Sequence, residues 1–101
     1  MSYQELEMKV IQWGEARGIV QNSNPFAQWK KTIEEAVELV EAFVDDDYEA
    51  MKDAYGDILV TLIMGCACAD FDLTECLEKA YNQIKDRKGY LTPDGIFVKE
   101  V

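Results

Sequence analysis

Histidine is absent from all 101 residues. That absence excludes Ser-His-Asp and Cys-His nucleophilic catalysis, imidazole metal sites and the Glu-x-x-His arrangement of di-iron bundles. Cysteine is sparse. Cys66, Cys68 and Cys76 are odd in number and form no C-x-x-C, which argues against a disulfide framework or a zinc site and for small, reduced core residues. Basic residues are few: 10 Lys and Arg against 20 Asp and Glu give a formal net charge of −10. Such a chain repels nucleic-acid phosphates and anionic membrane surfaces, so neither a polymeric nucleic acid nor a membrane is expected as a partner. No uninterrupted apolar run reaches the ~18–20 residues of a membrane span. Met1-Ser2-Tyr3-Gln4-Glu5 also lacks the basic and apolar regions of a signal peptide, so the expectation is a cytoplasmic protein. Chemistry here is left to carboxylates, Lys, Arg or a bound metal.

What is present is a helical pattern in a chain short enough to form one domain, residues 1–101. Leu6, Val10, Trp13 and Ala16 recur at helical spacing and stop at Gly18, which predicts a helix over residues 3–17 with Gly18 as its C-cap. Residues 20–24 read as a mostly polar loop. Asn24-Pro25 supplies an N-cap and a first-position proline for a second helix reaching about Val44. After the corner Asp45-Asp46-Asp47 a third helix runs through Ala69; it is almost wholly apolar from Ile58 onward, as buried helices are. Leu73, Leu77, Ala80 and Ile84 mark a fourth, ending near Lys88 with Gly89 as cap. Pro93-Asp94-Gly95 between short β-prone runs predicts a small hairpin or extended tail. The expected fold is an all-α four-helix bundle with that tail. A chain of this length buries only about 60–65% of its unfolded surface, so a second copy is expected to close the apolar faces, giving a homodimer or a homotetramer built as a dimer of dimers.

Carboxylates are the conspicuous chemical feature. At 100° per residue, Glu34, Glu35, Glu38 and Glu41 share one arc of the second helix, with Ile33, Ala36, Val37, Leu39, Val40, Phe43 and Val44 opposite. In isolation such an arc is most often a solvated face on a core-packed helix. On the third helix, Asp53 and Asp57 stack one turn apart, and Asp57 leads directly into the apolar run Ile58-Leu59-Val60. A carboxylate facing the core costs several kcal/mol unless it is paired or binds a metal, and no basic residue lies one turn away on its own helix. Gly56 beside it is expected to mark close approach by a neighbour or ligand. Oxygen ligands without nitrogen or thiolate suit Mg²⁺ or Mn²⁺. Asp45, Asp47 and Glu49 open like an EF-hand loop, but Ala50 and Gly56 stand where that loop needs Gly and Glu.

These blocks resemble the MazG-like, all-α nucleotide pyrophosphohydrolases, whose pattern is Glu-x-x-Glu on one helix and Glu-x-x-Asp on the next. Gln28-x-x-Lys31-x-x-Glu34-Glu35-x-x-Glu38-Leu39 is similar to the first block, and Asp53-Ala54-Tyr55-Gly56-Asp57-Ile58-Leu59-Val60 to the second. Asn82-x-x-Lys85-x-Arg87 is similar to the family's phosphate-contacting segment, and the likeness continues through Gly95-Ile96-Phe97-Val98-Lys99, as in phage and bacterial members. One position departs: the second block's Glu would fall at position 54, which is Ala54, with Asp53 one residue earlier.

The resemblance implies cleavage of a nucleoside triphosphate to the monophosphate and pyrophosphate. It implies Glu35, Glu38 and Asp57 as ligands of Mg²⁺ with Mn²⁺ as a substitute, Asp53 as a replacement ligand, and Glu34 as a ligand or a base orienting water. Lys31, Asn82, Lys85 and Arg87 would then meet the substrate, Arg being suited to bidentate phosphate pairing. Trp13, Phe26, Trp29 and Tyr81 are aromatic residues of a kind that stacks on bases, though such spacing is more often core. The competing reading is a non-catalytic acidic helical oligomer, a regulator or adaptor whose acidic arc is merely solvated.

Overall fold

The computed structural model describes residues 1–100. Ser2 opens α1 (Tyr3–Ala16), its hydroxyl accepting the Glu5 N–H at 3.1 Å. Gly18 then turns the chain at a φ of 75°, a conformation that favours glycine. Where a loop was expected, one helical turn follows: α2 (Ile19–Asn22) is held by the Asn22 side-chain amide donating to the Gly18 carbonyl at 2.8 Å. Asn24 caps α3 (Pro25–Val44) by accepting the Ala27 N–H at 2.8 Å, with Pro25 in the first position. Asp47 does the same for α4 (Tyr48–Cys68), accepting the Ala50 N–H at 3.0 Å. The intervening corner places Asp46 at a φ of 51°, so α4 folds straight back along α3.

α5 (Leu73–Ile84) ends four residues before the expected Lys88. Its apolar pattern also stops at Ile84, and the charged stretch beyond has nothing to bury. Gly89 is accordingly not a helix cap but the first residue of β1 (Gly89–Leu91). Strand β1 pairs antiparallel with β2 (Phe97–Lys99) in the register Gly89↔Lys99, Tyr90↔Val98, Leu91↔Phe97. A side chain at position 89 would collide with the Val98 carbonyl and the Phe97 ring.

The α3–α4 hairpin is the scaffold, and α1 crosses α4 where Gly14 admits the Met64 side chain. The buried core is small: Ala42 from α3 with Ala54, Ile63 and Met64 from α4. α3 packs with much of its expected apolar arc turned outward. The stripe turned toward α4 is Gln28, Thr32, Glu35, Leu39 and Ala42, while Ile33, Val37, Val40 and Val44 lie on the open side, each about half exposed or more. Two hydroxyls meet within the α3–α4 seam, Thr32 Oγ1 and Thr61 Oγ1, 2.7 Å apart. The chain exposes 7754 Å², against about 5,800 Å² for a folded monomer of this mass. Its radius of gyration is 16.0 Å, where about 13 Å is usual for this length. Among the described residues, no single helix is long and apolar enough to cross a membrane.

Candidate metal centre

Because α3 turns its acidic arc toward α4, carboxylates from the two helices converge. Glu35 and Glu38, one turn apart on α3, and Asp57 on α4 each offer an oxygen, and these oxygens all lie within 4.8 Å of one another. Glu38 and Asp57 are exposed; Glu35 is half-buried, and its Oε2 is fully covered with no hydrogen-bond partner. The Glu35 carboxyl is held above the ordinary glutamate range, first by the close approach of the Glu38 carboxyl, then by burial, then by the charges of Glu38 and Asp57. Lys31 opposes that trend only weakly.

Two cavities adjoin this group. One is an acidic trough of about 370 Å³ whose carboxylates are Glu38, Glu41, Asp45, Asp47, Asp53 and Asp57, floored by Ala42, Ala50 and Ala54. The other, about 440 Å³, is partly apolar and runs from Lys31, Glu35 and Asp57 to Trp13, Val60 and Met64. Gln28, Ser23, Ile19 and Thr61 complete its wall, and Gln28 Nε2 donates to Ser23 Oγ at 3.0 Å. An oxygen-only donor set holding an unpartnered buried oxygen fits a hard divalent cation.

Several expectations change on this geometry. Asp57 is an exposed residue rather than a core-facing one; the covered carboxylate is Glu35. Gly56 admits no neighbour, since a Cβ there would meet nothing within 4 Å. Asp53 lines the trough but stands outside the three-carboxylate group. Ala54 is buried in the seam at the trough floor, so the short side chain leaves open the space a Glu would take. Glu34 sits on the outer rim, paired with Lys31 at 2.9 Å. Asn82, Lys85 and Arg87 are not brought to the centre within one chain, because α5 reaches α4 and, through Thr74, Glu7 of α1, but not α3. Of the aromatics, Trp13 borders the second cavity, Phe26 and Trp29 stack on each other outside it at 5.5 Å, and Tyr81 is exposed on α5.

Residues 25–92, which include Glu35, Glu38 and Asp57, match the model of the MazG nucleotide pyrophosphohydrolase domain. The chain belongs to the MazG family. The family is typically metal-dependent, and its activity at family level is nucleoside triphosphate pyrophosphohydrolysis. The chain is also 33% identical over 61 residues to an uncharacterized 18.2 kDa protein of the rep-hol intergenic region of Haemophilus phage HP1 (strain HP1c1). That match covers 60% of this MazG chain and 37% of the phage protein. No solved structure gives a significant match. The far wall of the second cavity was not legible from the acidic motifs: Ser23, Thr61 and Met64 carry no chemical signature, and only the packing of α1 and α2 beside the seam assembles it.

Proposed function

We propose that this chain hydrolyses a nucleoside triphosphate or deoxynucleoside triphosphate to the monophosphate and pyrophosphate, with Mg²⁺ held by Glu35, Glu38 and Asp57. Mn²⁺ is the natural substitute for an all-oxygen site. The observation that carries the reading is the covered, unpartnered Glu35 Oε2 within a three-carboxylate group. Leaving it so costs free energy that a bound cation returns. The bound cation would neutralise the triphosphate, fix its geometry and lower the pKa of the attacking water.

In the reaction, water adds to the α-phosphorus and the bond to the α–β bridging oxygen breaks. Pyrophosphate leaves with that electron pair. The part-apolar cavity beside Glu35 has the size and lining for the nucleoside, with Trp13 its flat wall. Lys31 is the cation nearest the phosphates; when it turns to them, its partner Glu34 is released to orient water or take its proton. Asp53 acts from the trough wall. Asn82, Lys85 and Arg87 reach the substrate only from a second copy, which also covers the apolar side of α3, so the assembly is a homodimer or a dimer of dimers. The surplus of about 2,000 Å² over a usual monomer is ample for an interface that needs about 800 Å² per partner.

Thermal melting with Mg²⁺ and a non-hydrolysable triphosphate tests the reading against an adaptor role. A ligand at 100 times its dissociation constant stabilises by about 2.7 kcal/mol, so the midpoint rises by several degrees. A midpoint unmoved by metal and nucleotide together favours the non-catalytic acidic oligomer.

A further inference from the structure

Cys66 on α4 and Cys76 on the first turn of α5 place their sulfurs 3.9 Å apart. Both residues are half-buried. A disulfide needs about 2.05 Å, so the two must close by roughly 2 Å. α5 permits that motion: it contains no buried residue, and α4 is its main support. A cavity of about 240 Å³ opens on Cys66, wide enough for a small oxidant. Cys68, by contrast, points to α2, its sulfur 3.7 Å from the Ile19 carbonyl.

We propose that Cys66 and Cys76 form a reversible intramolecular disulfide that clips α5 to α4. The oxidant is a hydroperoxide such as hydrogen peroxide. One thiol is oxidised by the peroxide O–O bond to a sulfenic acid with release of water. The second thiol then attacks that sulfur, the S–O bond breaks, and a second water leaves. Two thiols and one peroxide give one disulfide and two waters. Burial, then the neighbouring Cys76, push the Cys66 thiol up to about 11. Attack on peroxide requires a thiolate, so oxidation begun at Cys66, on which the cavity opens, quickens as pH rises. A low-molecular-weight thiol such as glutathione restores both groups by exchange. The clip closes only the loop between residues 66 and 76 and stands whether or not the chain hydrolyses nucleotides.

The test uses the full chain, reduced and then exposed to hydrogen peroxide, with free thiols blocked before digestion under non-reducing conditions. Cleavage before Asp70 and Asp72 separates Cys76 from Cys66 and Cys68. The expected product is a linked peptide pair in the wild type and in Cys68→Ser, reversed by glutathione and absent from Cys76→Ala. The oxidised wild type melts higher, on the order of 10 °C, because the cross-link restricts the unfolded chain. Cys76→Ala removes the partner from the surface helix, so the result does not depend on whether Cys66→Ala folds. Persistence of two blockable thiols, a link through Cys68, a link between chains, or a cross-link without a rise in melting temperature would each overturn the proposal.

Discussion

At Glu35 the ionised carboxylate is opposed by Glu38, by Asp57 and by burial, with no basic side chain in contact. Glu35→Gln keeps the shape and removes that charge. It should leave the apo fold as stable or more stable while abolishing Mg²⁺ binding measured by calorimetry. Asp57→Asn, at an exposed position, should change apo stability by less than about 0.5 kcal/mol yet cut turnover at least about 100-fold. Asp53→Asn, outside the three-carboxylate group, should cost less than about tenfold; a loss equal to that of Asp57→Asn would mean Asp53 has taken over the role left by Ala54. Glu35, Glu38 and Asp57 were legible in the sequence through the joint order of the acidic blocks. Which of them is covered was not: a helical wheel ranks positions around one axis, but only a second helix decides which arc is inside.

Among the elements, the start of α3 was the most legible, since Asn24-Pro25 acts within one helical turn and needs no distant partner. α2 escaped because four residues are too few to show a period, and α5 stops where its apolar pattern stops. The hairpin owes its turn to a local network. Thr92 Oγ1 donates to Asp94 at 2.6 Å and accepts the Ile96 N–H at 2.9 Å, while Gly95 takes a φ of 87°. The Thr92 hydroxyl, and then a backbone N–H, hold the Asp94 carboxyl below the ordinary aspartate range. A depressed carboxylate contributes stability that is present above its unfolded pKa and lost as pH falls through the folded value. The protection factor of the Ile96 amide should therefore fall below that point in the wild type, and Asp94→Asn should remove that dependence. A protection factor insensitive to both would leave the turn to Gly95 alone.

For the whole molecule, the unpartnered face of Ile33, Val37, Val40 and Val44 and the surplus surface belong to one fact: α3 turns much of its apolar arc away from α4. Composition signalled a marginal monomer, but not that the apolar arc of α3 would be the open one. Light scattering at micromolar concentration should give a dimer or tetramer mass, and Val40→Glu, on the open face, should shift it toward the monomer. If α5 serves the centre of another copy, mixing the Asp57→Asn and Arg87→Ala chains should recover up to about a quarter of the wild-type turnover, because one site in a mixed dimer regains both groups. No recovery would mean that Arg87 does not act on the centre of another copy. The most direct measurement is product analysis on a panel of canonical and modified NTPs and dNTPs, with Mg²⁺ and with excess EDTA. The account predicts monophosphate and pyrophosphate from at least one substrate, only with the metal, and almost none from Asp57→Asn; orthophosphate as the product, turnover that survives EDTA, or full activity in Asp57→Asn would contradict it.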